Sequence, residues 1–276
     1  MSSSGRKLVI EAGRADLRYW RDLWQFRELF YFLAWRDILV RYKQTSIGIA
    51  WALIRPLLTM VVFSFVFGRL AKMPAGGVPY PLLVFSAMLP WQFFASALSE
   101  CSNSLIGNAN LISKIYFPRL IVPASTIIVT LVDFLISASI LVGLCFWYRY
   151  FPGWRVLALP LWMILAFGAA MGAGLWFSAL NVKYRDFRYV VPFLVQFGLY
   201  VSPVGFSSEI VPEKYRLLYA LNPMVGVIDG FRWAILGRPG GVDWITAGIS
   251  LLIVAALVFS GVTYFRKVER LFADVI

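Results

Sequence analysis

Beyond residue 48 the chain reads as long apolar runs separated by short charged gaps. A membrane span needs about 20 mostly apolar residues to cross roughly 30 Å of hydrocarbon. Six segments have that character: 49–70, 80–106, 120–147, 156–180, 189–206 and 244–265. The pattern predicts an all-α integral membrane protein with six transmembrane helices. An even number of spans puts both termini on one side.

Two further segments are apolar without being long enough to span. Over 25–43, Phe26, Leu29, Phe30, Leu33 and Val40 share one helical face, interrupted by Asp37. Tyr31, Trp35, Ile38, Leu39 and Tyr42 form a second stripe, with Arg27, Arg36, Arg41 and Lys43 spread between. This is an N-terminal amphipathic helix that lies in the membrane interface. It is either a plain surface anchor or an anchor that offers its second stripe to another element. Between spans five and six, Pro212 opens a short helix-like piece ending at Leu221, Asn222 and Pro223 break it, and the apolar run from Met224 to Leu236 closes at Gly237. Each piece is too short to cross and too apolar for a solvated loop, and backbone breaks at membrane depth are tolerated where buried in protein or lining water. A re-entrant helical hairpin at 212–236 is expected, with an amphipathic pair on the outer surface as the competing reading.

Composition agrees. Of 276 residues, 60% are hydrophobic and only 14% charged, against about 25% charged in a soluble domain. The net charge of +12 would suit nucleic acid, but its placement argues otherwise. Of the 26 basic residues, ten lie at or before Arg55, and others fall in the gaps at Lys114 and Arg119, at Lys183, Arg185 and Arg188, and at Arg266, Lys267 and Arg270. The opposite side holds Arg69, Lys72, Arg149, Arg155, Lys214, Arg216, Arg232 and Arg238. Lys and Arg hold loops in the cytoplasm, so both termini are expected inside, and no signal peptide is expected before the first span. The divisions expected are an N-terminal region 1–48, a transmembrane unit 49–265 and a cytoplasmic tail 266–276. There is no histidine, and Cys101 and Cys145 are not spaced for a metal. No G-x-x-x-x-G-K-[ST] cradle for nucleotide phosphates occurs, nor a nucleophile elbow. These absences count against a membrane-embedded enzyme without excluding one built on carboxylates.

Several polar or aromatic residues stand out inside the spans. Ser96, Glu100 and Asn103, with Gly107, recur on one face of span two, which must look at protein or water. They line a pathway or form a hydrogen-bonded seam between helices. Asp133 interrupts span three and reads as a hydrogen-bonded structural carboxylate, or as the proton site of a secondary carrier. Tyr189, Phe193, Gln196, Phe197 and Tyr200 share one face of span five. Rings beside an amide suit a sliding saccharide, while packing or lipid contact is the plainer account. Gly168 and Gly172 form a close-packing pair. Asn110 and Lys114 mark a short polar break between spans two and three, and Arg41, Lys43 and Arg55 cluster where the interface helix meets span one, as phosphate recognition requires. Inside-positive anchoring to anionic lipid explains the three equally well.

Four stretches, "LAWRDILVRYKQTSIGIAWALIRPL" (33–57), "NVKYRDFRYVVPFLVQFGLYVSPVGF" (181–206), "LNPMVGVIDGFRWAILG" (221–237) and "FRKVERLFADVI" (265–276), resemble the permease subunits of bacterial ATP-binding-cassette polysaccharide exporters that serve O-antigen and wall teichoic acid. The resemblance implies a homodimer in the bacterial inner membrane, paired with two nucleotide-binding ATPase subunits that carry the ATP and Mg, so that this chain binds no cofactor. It implies a substrate of polysaccharide linked to undecaprenyl diphosphate, O-antigen foremost, with teichoic acid, capsule or a smaller substrate as alternatives. It also implies a coupling helix at 108–117, with Asn108, Asn110, Lys114 and Tyr116 toward the ATPase. The hairpin becomes a gate that carries Pro212, Asn222, Pro223, Phe231 and Arg232.

Overall fold

The computed structural model describes residues 16–43, 49–237, 242–269 and 272; the expectations that fall on 1–15, on the 44–48 link, on Arg238 and on the rest of the tail lie outside these residues. Every regular element among them is helical. The protein is a multi-pass membrane bundle, and five helices are long and apolar enough to cross: Leu53–Leu70, Tyr80–Gly107, Ile121–Trp147, Trp154–Lys183 and Trp244–Val268.

The N-terminal amphipathic segment is two helices, α1 (Asp16–Gln25) and α2 (Arg27–Lys43), with a turn at Phe26. The first span is α3 (Ile49–Phe63), which widens into a π-helical segment Ser64–Leu70. Span two is α4 (Tyr80–Gly107), the buried hub against which most others pack, followed by the short α5 (Ala109–Lys114). Then come α6 (Ile121–Trp147) and α7 (Leu159–Lys183), the latter entered through a 3-10 turn at Trp154–Ala158. The fifth predicted span differs from expectation. Its helix, α8 (Phe187–Val201), has 15 residues, about 22 Å at 1.5 Å per residue. The chain leaves the helix at Ser202, which is extended before Pro203, and does not continue helical to Phe206. Beyond it the carbonyls of Val204 and Phe206 turn to Arg232 at 3.0 and 2.7 Å. The elements α9 (Glu213–Tyr219), α10 (Pro223–Leu236) and α11 (Trp244–Val268) complete the chain.

Local chemistry sets the boundaries. Asn222 caps α10 by accepting the Met224 amide at 3.0 Å, Pro223 fills the first turn, and Gly237 ends the helix at φ +62°. This is the side-chain cap, N1 proline and left-handed glycine that helix ends favour. Asp243 caps α11 through the amides of Ile245 and Thr246.

Two cores hold the bundle. The larger one joins α4, α6, α7 and α10. The smaller one lies at the α5 end, where Leu33, Leu105, Ile112, Phe117, Ile121, Leu175, Phe265 and Phe272 meet. The expected glycine seam sits between α7 and α11. A Cβ placed on Gly172 would lie 2.6 Å from the backbone of Leu257 and Val258. Overfilling such a contact costs about 3 kcal/mol, or roughly 6–12 °C of melting temperature at this size. Gly172→Val should therefore melt that much lower in detergent. Gly143→Ala, which meets nothing within 4 Å, should melt as wild type.

Candidate functional site

At one end of the bundle, α5 forms a small rigid knuckle. Ile112 points into the second core and Asn108 faces inward too, accepting from Arg36 at 2.8 Å and donating to the Ser104 carbonyl at 3.0 Å. Asn108 therefore fastens the knuckle rather than presenting a surface. Asn110, Lys114 and Tyr116 are exposed, and so is Ile115, which was not singled out from sequence. Behind the knuckle lies a joint that sequence reasoning missed. Glu269 accepts the Arg119 amide at 2.8 Å and the Tyr19 hydroxyl at 3.0 Å, while Arg119 also donates to the Glu269 carbonyl. Burial pushes the Glu269 carboxyl up, opposed by those same donors and by nearby Arg119 and Arg266. The joint ties α1, the α5–α6 link and the end of α11 together.

A second assembly lies along α2. Of its first predicted stripe, Phe26, Leu29, Phe30 and Leu33 pack into the second core and Val40 does not, being exposed, while Tyr31, Trp35 and Leu39 of the other stripe remain exposed. Contacts then climb the bundle. Arg36 reaches Asn108, just past the end of α4, and Arg41 reaches Glu100, eight residues or about 12 Å further along it. A helix lying flat would meet α4 at one level, so α2 is inclined into the bundle. Arg41 bridges two carboxylates, through Nη2 to Glu100 Oε1 at 2.9 Å and through Nη1 to Asp133 Oδ2 at 3.0 Å. The Tyr42 hydroxyl donates to the other Asp133 oxygen. Asp133 is thus hydrogen-bonded as expected, but it is also ion-paired, by a residue from outside the spans. Arg41 has its guanidinium engaged by carboxylates, whereas Lys43 and Arg55, the other two phosphate candidates, are exposed.

The polar stripe of α4 also borders this region. Glu100, Asn103 and Gly107 are exposed and Ser96 is half-buried. Asn103 is held by the buried Asn181, whose amide donates to it at 3.1 Å and to the Ser102 carbonyl at 3.1 Å. The stripe is therefore both seam and open face.

The third assembly is α8. Tyr189, Phe193, Phe197 and Tyr200 are 78%, 64%, 57% and 61% exposed, and Gln196 is exposed beside them. The rings of Phe193 and Phe197 stack at 6.1 Å and 13°. Packing within the chain is thereby excluded as the reason for this stripe.

The fourth is the hairpin. Pro212 and most of α9 are exposed, but α10 is largely buried. Asn222 donates to Ser202 Oγ at 2.9 Å, pinning the α9–α10 break to the end of α8. Phe231 meets Phe134 edge-on at 6.2 Å, and Phe134 is the midpoint of α6. Arg232, counted from sequence as an outer-loop charge, belongs to no loop. It is wholly buried and donates to the carbonyls of Leu83, Val204 and Phe206 at 3.2, 3.0 and 2.7 Å.

A family model described as "ABC-2 type transporter" matches residues 28–236, from α2 to the end of α10. The chain is similar to the O-antigen export system permease protein RfbA of Klebsiella pneumoniae, 28% identical over 243 residues, covering 87% of this chain and 92% of that protein. It is 27% identical over 219 residues to the protein of the same name from Myxococcus xanthus, covering 78% and 83%. It is 26% identical over 244 residues to the polysialic acid transport protein KpsM of Escherichia coli, covering 85% and 91%.

Proposed function

The chain belongs to the ABC-2 type transporter family, and from that premise we propose that it is the permease of an ATP-driven exporter moving lipid-linked polysaccharide, O-antigen foremost, across the inner membrane. Two copies form the path, and ATP with its Mg is hydrolysed on a pair of separate subunits. The α5 knuckle docks those subunits, with both termini on the cytoplasmic side. The short α8 serves as the sixth crossing, and α9–α10 is a re-entrant gate, supported by the reach of Phe231 to mid-span Phe134.

The observation that carries this reading is the outward aromatic ladder of α8. Four rings at helical spacing, with Gln196 among them, offer apolar faces to sugar C–H groups and hydrogen bonds to their edges. Lipid alone would not reward the amide. The names of the relatives, which export O-antigen or transport polysialic acid, point to the same substrate class. Asp133, ion-paired to Arg41, is not the isolated protonatable carboxylate on which a proton-coupled carrier depends.

Each stacking ring is worth about 0.5–1.5 kcal/mol. Replacing Phe193, Phe197 and Tyr200 together by alanine should therefore slow polymer export by about tenfold or more. ATP hydrolysis and assembly with the ATPase should persist, since the motor sits elsewhere. Export at the wild-type rate by a fully inserted triple variant would place these rings against lipid and overturn the reading. Tyr200→Phe should cost less than Tyr200→Ala, because the ring survives.

A further inference from the structure

We propose that Arg41 is exchanged between two kinds of anion. Glu100 and Asp133 hold it in the unloaded chain, and the diphosphate of the lipid-linked substrate takes it from them, freeing the C-terminal half of α2 from α4 and α6. This rests on the substrate reading above and adds a regulatory step to it.

The attachment of α2 is uneven. Its buried residues are Leu33 and Ala34, both in the first half. Beyond Ala34 the helix is held chiefly by polar contacts, from Arg36 to Asn108 and from Arg41 and Tyr42 to Glu100 and Asp133. Apolar burial cannot be traded for another partner without cost, but an ion pair can be traded for a better one.

The bracket around Arg41 is an exchangeable one. Each carboxylate takes a single guanidinium nitrogen, so neither pair is the parallel two-bond fork that makes Arg–anion contacts strong. The side chains of Arg41 and Glu100 remain 34% and 47% exposed, so the cluster is open on one face. At this depth that face must meet water or protein rather than lipid. A diphosphate brings more negative charge than one carboxylate and presents forked acceptors that match a guanidinium. The exposed Lys43, two residues on, and Arg55 on α3 add to its local attraction. Glu100, which Arg41 reaches, stands about 12 Å along α4 from Asn108 at the α5 end. Once vacated, Glu100 and Asp133 carry uncompensated negative charge, which opposes re-entry of the phosphate between them. Asp133 also neighbours Phe134, the residue that touches Phe231 of α10, so release occurs beside the hairpin.

The test uses the permease–ATPase complex in lipid nanodiscs and follows amide hydrogen exchange over residues 36–43. Undecaprenyl diphosphate should raise exchange there by about tenfold, since a helix of this length loses its protection with its tertiary contacts. Undecaprenol should not, and the monophosphate should act more weakly. The double variant Glu100→Gln with Asp133→Asn should show the raised exchange without lipid and bind the diphosphate several-fold more tightly. Arg41→Gln should also exchange fast, with no further response to lipid. Amides of α7 and α11 should stay protected throughout, which separates release from unfolding. Diphosphate that binds, read as a thermal shift, without changing α2 exchange overturns the exchange step alone. Weaker diphosphate binding by the carboxylate variants does the same. Absence of any thermal shift with the diphosphate overturns the substrate reading and this step with it.

Discussion

Replacing Arg232 by methionine is expected to leave most of the protein aggregated after extraction from the membrane. The guanidinium is fully buried and satisfies the carbonyls of Leu83, Val204 and Phe206, which belong to α4 and to the chain reversal after α8. One side chain thus fastens α10 to two other parts of the fold. Methionine fills much of the volume but donates nothing. Each charge-assisted bond lost is worth about 1.5–3 kcal/mol, and a buried carbonyl left bare adds its own desolvation cost. The total, on the order of 5 kcal/mol or more, falls in the range that only loss of a buried network reaches. Arg232→Lys should fare only somewhat better, because an ammonium cannot span three carbonyls in the guanidinium plane. Lys214→Met, on the exposed face of α9, removes an equal charge and should melt as wild type. Size-exclusion profiles and melting curves of the three variants in one detergent decide the matter. A monodisperse, normally melting Arg232→Met protein would show that the reversal after α8 holds without it.

Arg232 also shows where the sequence was legible. Hydropathy placed four of the crossing helices within about three residues at each end, because the end of an apolar run is itself the physical signal. The first one was placed from Ile49 to Leu70, though nothing local announced its π-helical second half. The same signal failed at α8. Hydropathy stays high through Phe206, so the run reads as one span, although Ser202 and Pro203 are a local stop signal within it. The helix ends there with Ser202 extended before Pro203, and the carbonyls of Val204 and Phe206 beyond it are claimed by a guanidinium some 28 and 26 residues away. Arg41 teaches the same lesson. On an amphipathic helix a basic residue reads as surface charge, and its partner Glu100 is 59 residues distant. Periodicity put Glu100 and Asn103 on one face of α4, and on α2 it grouped Leu29, Phe30 and Leu33, which reach the second core, with Val40, which is exposed. It could not say that α2 inclines into the bundle, since that depends on contacts made level by level up α4. The glycine pair and the cap of α10 were readable because their chemistry is local.

Converting Tyr116 to aspartate is expected to abolish ATP-driven export by detaching the ATPase, while the permease itself still folds and inserts. The α5 knuckle is built to present this ring. Ile112 and Phe117 are each 4% exposed and root it in the second core, and Asn108 is fixed from both sides by Arg36 and Ser104. Between those anchors Ile115 and Tyr116 stand 53% and 65% exposed, beside Asn110 and Lys114. Apolar and aromatic side chains on a rigid polar mount, at an end of the bundle rather than along its lipid-facing length, are what a protein partner buries at the centre of an interface. An aspartate there would be desolvated without a matched cation, and truncation of such an anchor alone commonly costs 2 kcal/mol or more. Affinity for the ATPase should fall by about 30-fold or more. Tyr116→Phe keeps the ring and should retain most of the binding, whereas Ile115→Asp should behave like Tyr116→Asp. Because the Tyr116 ring is mostly exposed and is not one of the second-core residues, the melting temperature of the isolated permease should not move. Co-purification of the tagged permease with its ATPase, followed by ATP hydrolysis in vesicles, reads both effects. If Tyr116→Asp retains the ATPase and exports at the wild-type rate, the motor docks elsewhere and the knuckle serves only to close the bundle.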